Sequence, residues 1–200
     1  MITHIVGISL GATATIESGV AVIEIASKKI IYLDKLFSMN DINLFFDNYP
    51  SIKNSIICIS LPWDNTMLEG KWRILSKPYQ MIHTLGNFPN TDNWMQRFSN
   101  RGSDLFIDLK NKGANINRYE IYLTRQKLNL YSNFKERSSA DCKFLQNLLK
   151  NEHGFDELPN NMLPVAQLEA IVGTILGLEY FKNNTTRLFE FKGIDVINIA

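Results

Sequence analysis

Three short apolar segments near the N-terminus constrain the fold most strongly. Residues 5–10 form an apolar run that ends at Gly11, and residues 19–25 and 30–37 are rich in β-branched and aliphatic side chains. These patterns predict three β-strands. The connections between them are too short for a helical crossover, which parallel pairing would require. The sequence therefore predicts an antiparallel meander at the start of the chain.

The next part of the chain predicts a strand that runs parallel to this meander. Asn40 or Asp41 can cap a helix that ends before Pro50, and an apolar strand follows over residues 55–60. A strand that is reached through a helix is expected to lie parallel in the same sheet. The predicted order up to this point is β-β-β-α-β.

The rest of the chain predicts further helices and strands around one sheet. Predicted helices cover residues 104–110 with Gly113 beyond the end, residues 144–149 after a cap at Ser138 or Ser139, and residues 163–181. Predicted strands cover residues 118–123 and, as short edge strands, residues 187–191 and 195–199. Because 200 residues suit one domain, we expect a single α/β domain over residues 1–200.

Composition excludes several classes of protein and identifies no function. Apolar residues make up 45% of the chain and the formal net charge is +1, which excludes disordered and collagen-like chains. The two cysteines, Cys58 and Cys142, are far apart, so we expect a reducing cytoplasmic location and no disulfide framework. No apolar run approaches the length of about 18 residues that a membrane span needs. The sequence leaves the oligomeric state open.

The segment over residues 63–103 interrupts the pattern and is interpreted as a mainly helical insertion. Between residues 70 and 103 there are five basic side chains against one acidic side chain, Asp92, and aromatic side chains lie among them. Such a mixture suits single-stranded nucleic acid, because bases stack on aromatic rings and phosphates pair with basic groups. It also suits a protein partner or a small satellite core. The candidate ligand-binding residues are Lys71, Trp72, Arg73, Lys77, Trp94, Arg97 and Arg101.

Four short motifs in the right order resemble one known family. They are GISLG at residues 7–11, ICISLP at 57–62, YEIY at 119–122 followed by Lys135, and QLEAIV at 167–172. Together they resemble the RNase H-like superfamily, and within it the predicted nucleases of the domain of unknown function 429 type. The resemblance implies an RNase H-like mixed sheet, with an antiparallel meander followed by parallel strands and flanked by helices. It also implies a cleft in which acidic residues hold one or two divalent metal ions.

The acidic positions of that family are largely replaced in this chain. Ser9 stands where the first-strand acid is expected, Ser60 stands at the fourth-strand position, and Gln167 replaces the first acid of the late helix. Glu169 is the acid that survives. Mg²⁺ prefers carboxylate and other oxygen ligands in near-octahedral geometry, and two-metal chemistry needs ions about 3.5–4 Å apart. We therefore expect a catalytically degenerate protein with no resident metal or other cofactor, which binds nucleic acid or a protein partner.

Two alternatives remain open from the sequence. Glu17 and Asp64 lie near the expected site, so Glu17, Asp64 and Glu169 could form a relocated catalytic set that uses Mg²⁺ or Mn²⁺. The chain would then be an active metal-dependent nuclease or phosphodiesterase. In the structural interpretation, Glu17 and Asp64 are instead ordinary turn residues. The second alternative is that the protein is a structural scaffold subunit without a nucleic-acid role.

Two further segments have a functional and a structural interpretation. Residues 9–13 resemble the phosphate-binding turn of sugar kinases and actin-like ATPases, although a tight hairpin of small residues is the preferred interpretation. Residues 124–135 hold Arg125, Lys127 and Lys135, and we expect them to form a solvated loop.

Overall fold

The fold was analysed in a computed structural model. It describes residues 1–11, 14–49, 52–60, 94–135, 137–191 and 194–200, and for residues 94–100, 103, 189–191 and 194 it describes the backbone alone. No helix among these described residues is long and apolar enough to cross a membrane.

The described strands form one mixed seven-stranded sheet. In chain order they are β1 (His4–Ser9), β2 (Ser18–Glu24), β3 (Ile30–Leu36), β4 (Ser55–Ser60), β5 (Asn115–Tyr119), β6 (Thr185–Phe191) and β7 (Ile194–Ile199). Their spatial order is β3-β2-β1-β4-β5-β7-β6. β2 is antiparallel to β1 and β3, and β6 is antiparallel to β7, whereas β1, β4, β5 and β7 run parallel to one another. The predicted meander and the predicted parallel strand are confirmed, and the layout is consistent with an RNase H-like fold.

Helices cover both faces of the sheet. They are α1 (Met39–Asn48), α2 (Trp94–Asn111), α3 (Ile121–Lys127), α4 (Ser139–Asn151) and α5 (Val165–Phe181). One face packs against α3, α4 and α5 through a core that includes Ile5, Cys58 and Leu145. The other face packs against α1 and α2 through a core that includes Val6 and Ile57. The alternation of neighbouring residues between the two cores is the period of two that β-strands impose.

Several local predictions are wrong, each for a local reason. Residues 118–123 do not form a strand, because β5 ends at Tyr119 and the Glu120 side chain caps α3 by accepting from the main-chain N–H of Leu123 at 2.8 Å. The first helix is capped by Ser38, which forms a capping box with Asp41. The last predicted strand, β7, pairs on both sides and is not an edge strand.

The predicted boundaries in the middle of the chain are partly outside the described residues. α2 begins at Trp94, ten residues before the predicted start at Asp104, so it extends into the segment assigned to the insertion. It ends two residues before Gly113, whose φ of 79° fits the predicted position beyond a helix end. Residues 61–93 lie outside the described residues, so the extent of the insertion stays a prediction.

The central helix α5 lies unusually close to the sheet. A Cβ atom added to Gly7 on β1 would lie 1.9 Å from the main-chain oxygen of Ala170, and one added to Gly19 on β2 would lie 1.9 Å from that of Ala166. Any larger residue at these positions would push the helix away. The close approach brings Glu169, one residue before Ala170, against the end of β1.

Candidate functional site

Three hydroxyl side chains form a row across the ends of three parallel strands. Ser9 on β1 is the register partner of Ser60 on β4, and Ser60 is the register partner of Tyr119 on β5. Ser9 and Ser60 follow Gly7 and Cys58 by two residues, so they share the face that packs on α5. We call Ser9, Ser60 and Tyr119 the hydroxyl row. It lies at the carboxyl ends of the parallel strands, where open α/β sheets commonly bind ligands.

Glu169 on α5 forms hydrogen bonds with two of the three residues of the hydroxyl row. The Ser9 hydroxyl donates a hydrogen bond to Oε2 of Glu169 at 2.7 Å, and the Tyr119 hydroxyl donates to the main-chain oxygen of Glu169 at 2.9 Å. Burial raises the pKa of Tyr119, and Ser60, its register partner, lies close enough to its hydroxyl to oppose this larger effect slightly. Glu169 is 4% exposed, so this carboxylate is held almost entirely inside the protein.

Tyr119 acts in this arrangement as a neutral hydrogen-bond donor. Burial raises the pKa of Tyr119 well above its usual value, and the charge of Glu169 raises it further. The phenol therefore keeps its proton at neutral pH. It fixes the position of the helix backbone at Glu169 relative to the strands.

Arg137 supplies a positive charge to the same carboxylate. Its Nη2 lies 3.3 Å from Oε2 of Glu169, and its side chain is 46% exposed. The nearby Glu169 carboxylate is the main reason that the pKa of Arg137 is raised. The contact of Arg137 with Glu169 could not be predicted from the sequence, because Arg137 precedes a helix cap in a loop and lies 32 residues before its partner. The basic character of the loop was the available signal, and it does not identify the partner.

A second, fully buried ion pair holds the loop that carries Arg137. Arg125 contacts both carboxylate oxygens of Asp141, at 3.1 and 2.7 Å, and Ser132 donates to Oδ1 of Asp141 at 2.6 Å. The main-chain N–H of Arg137 donates to Oδ2 of Asp141 at 3.0 Å. The expectation that residues 124–135 form a solvated loop is wrong at its start, because residues 124–127 belong to α3 and the Arg125 side chain is 2% exposed. Lys127 and Lys135 are exposed.

The other predicted acidic residues do not join Glu169 as a described cluster. Glu17 forms an ion pair with Lys35 at 3.7 Å, although its charge also contributes to the raised pKa of Arg137. Gln167 is buried in the first turn of α5. Asp64 lies outside the described residues. Over the described ranges, no group of three His, Cys, Asp or Glu side chains is placed to hold a metal ion.

The predicted ligand-binding residues are mostly outside the described part of the chain. Lys71, Trp72, Arg73 and Lys77 lie in the undescribed range, and of Trp94 and Arg97 only the helical backbone is described. Arg101 is 8% exposed, and its guanidinium donates to the main-chain oxygen of Phe37 and to the sulfur of Met39. Arg101 therefore ties α2 to the start of α1, and this burial disfavours the predicted ligand contact.

In the turn after β1, the main-chain N–H of Gly11 forms a hydrogen bond within the protein. The main-chain N–H of Gly11 donates to the Ser18 hydroxyl at 2.9 Å, across the hairpin between β1 and β2. A phosphate-binding turn needs such N–H groups to face its ligand. This bond favours the hairpin interpretation for Gly11, while Ala12 and Thr13 lie outside the described residues.

The residues at the hydroxyl row do not fit a divalent metal ion of the kind that the family resemblance implies. A hard cation such as Mg²⁺ needs several oxygen ligands with negative charge among them. Among the described residues, the carboxylate that contacts the hydroxyl row, that of Glu169, already accepts from Ser9 and faces a guanidinium. Comparison with protein-family models, with curated proteins and with solved structures found no match for this chain.

Proposed function

We propose that this chain is a catalytically degenerate relative of RNase H-like nucleases that binds nucleic acid. Support comes first from the mixed sheet, whose order is consistent with that fold, and from the four motifs in the sequence. The hydroxyl row lies at the strand ends where the family resemblance implies acidic residues. Neutral side chains at these positions suit a protein that has lost metal-dependent cleavage.

A single observation carries the proposed loss of catalysis. Oε2 of Glu169 accepts from the Ser9 hydroxyl at 2.7 Å and lies 3.3 Å from the guanidinium of Arg137. The negative charge that would attract a metal ion is therefore balanced inside the protein. A divalent ion would also be repelled by the guanidinium, and charge interactions are strong where water is largely excluded.

The proposed binding surface is the basic and aromatic segment that follows β4. In the chain, this segment follows Ser60, the last residue of β4. Its basic residues would contact phosphates and its aromatic residues would stack on unpaired bases. Cytoplasmic location fits this proposal, and both cysteines are free thiols.

The proposal is tested by nucleic-acid binding and cleavage measured on the full chain. Fluorescence anisotropy with single-stranded and double-stranded oligonucleotides should show binding that weakens steeply with salt, because phosphate contacts release counterions. The triple substitution Lys71→Ala, Arg73→Ala and Lys77→Ala should weaken it by at least about tenfold. Replacing the exposed Lys29, Lys127 and Lys143 by Ala removes the same number of positive charges, so it is a matched control and should have little effect.

Two other outcomes would contradict the proposal in different ways. Cleavage that requires Mg²⁺ or Mn²⁺ and is abolished by Glu169→Ala would establish the active nuclease alternative. Failure to bind any DNA or RNA at low salt would favour a protein partner or a scaffold role instead.

A further inference from the structure

We propose that the positively charged guanidinium of Arg137 occupies the place beside Glu169 where a divalent metal ion would have to bind. This inference deepens the proposed function and rests on it, since it explains how the carboxylate is kept stable without a metal ion. It assigns a role to a residue that no sequence motif identifies.

The contacts at Glu169 support this placement of Arg137. Nη2 of Arg137 and the Ser9 hydroxyl reach the same oxygen, Oε2, at 3.3 and 2.7 Å. The Glu169 side chain is 5% exposed, whereas that of Arg137 is 46% exposed. Among the described residues, Arg137 is therefore the solvent-exposed partner of this contact. A cation that bound to Oε2 of Glu169 would have to displace Arg137 or bind next to it.

The backbone of Arg137 is fixed in a way that favours this placement. Arg137 has a φ of 58°, a left-handed conformation that is uncommon for residues other than glycine. Its N–H donates to Asp141, and the next residue, Ser138, caps α4. Asp141 is itself held by the buried guanidinium of Arg125. The loop is thus anchored in the core through Asp141, and the Arg137 side chain contacts Glu169.

The pairing of charges around the cleft also supports this role of Arg137. Three carboxylates of this region each have a basic partner: Glu169 with Arg137, Asp141 with Arg125, and Glu17 with Lys35. The charges of these three pairs cancel, and Glu120, which follows Tyr119 and caps α3, is a further buried acidic residue of the region. A divalent metal site instead requires an excess of negative charge, which attracts the ion and offsets its loss of hydration.

Repulsion between Arg137 and a divalent ion should be measurable once a second carboxylate is supplied. Ser60→Asp adds that carboxylate next to Tyr119 and leaves the bond between Ser9 and Glu169 in place. In this background the additional change Arg137→Gln removes a positive charge that lies 3.3 Å from Glu169. Coulomb energies at such separations predict that Mn²⁺ affinity rises by at least about tenfold.

The experiment compares Mn²⁺ binding by full-length variants, with free Mn²⁺ measured by electron paramagnetic resonance. Ser60→Asp with Arg137→Gln should bind at least about tenfold more tightly than Ser60→Asp alone. Ser60→Asp with Arg137→Lys keeps the charge and should bind like Ser60→Asp. Ser60→Asp with Arg187→Gln has the same net charge as the glutamine variant. Its substitution lies on edge strand β6, three strands from Ser60, and should change nothing.

Equal Mn²⁺ affinity with and without the Arg137→Gln change would overturn the inference. Circular dichroism would first establish that each variant is folded, and Arg137→Ala would replace the glutamine variant if that variant failed to fold. Tight Mn²⁺ binding by the unmodified chain would instead contradict the proposed function. The two failures are therefore distinguishable within one set of titrations.

Discussion

Two arginine–carboxylate pairs lie close together in this protein, and they differ in almost every physical respect. Arg125 and Asp141 are each 2% exposed and meet through two hydrogen bonds. Arg137 and Glu169 meet through one contact, and the side chain of Arg137 is 46% exposed. A paired charge deep in the core is costly to break, whereas a half-exposed one can be exchanged at small cost. The first pair is therefore part of the framework and the second belongs to the cleft.

Breaking the buried pair should give the largest effect. Arg125→Met leaves the Asp141 carboxylate buried without its main partner, and we expect the free energy of unfolding to fall by about 3–5 kcal/mol. Urea denaturation followed by circular dichroism measures this. The double variant Arg125→Met with Asp141→Leu removes both charges and should recover part of the loss. A loss below about 1 kcal/mol for Arg125→Met would show that the two pairs do not differ as described.

Acid should destabilise the protein through the same buried pair. Burial alone would raise the pKa of Asp141, but hydrogen bonds from Arg125 and Ser132 outweigh it and lower the pKa below its usual value. The resulting stability is present above the unfolded pKa of about 3.9 and is lost as pH falls through the lower folded pKa. Denaturation curves between pH 5 and pH 2 should show this loss. Asp141→Asn should show less pH dependence in that range, and unchanged pH dependence would contradict the assignment.

Substitution at the cleft should give the smallest effect on stability. Arg137→Gln removes a contact between a half-exposed guanidinium and a buried carboxylate that still accepts from Ser9, so we expect a decrease of about 1–2 kcal/mol in the free energy of unfolding. The matched control is Arg187→Gln, whose pair with Asp195 is exposed on both sides and should be worth less. A decrease as large as that of Arg125→Met would place Arg137 in the framework and remove the distinction between the pairs.

The sheet and the hydroxyl row could be predicted from local patterns. Short connections require the antiparallel meander, and the period of two along β1 and β4 sends Ser9 and Ser60 to the same face. The burial of Arg125 could not be predicted this way, because it depends on a partner 16 residues later on another helix. Arg137 is similar, since its contact to Glu169 follows from packing of α5 against the sheet. Glu120 shows a third case, in which a capping side chain ended a strand that the alternating pattern predicted to continue.

A crystal of the unmodified protein soaked in Mn²⁺, with anomalous diffraction data collected, tests the central claim most directly. The account predicts no anomalous density beside Glu169, with the Arg137 guanidinium and the Ser9 hydroxyl both in contact with Oε2. Anomalous density bound to Glu169, with Arg137 displaced from the carboxylate, would contradict it.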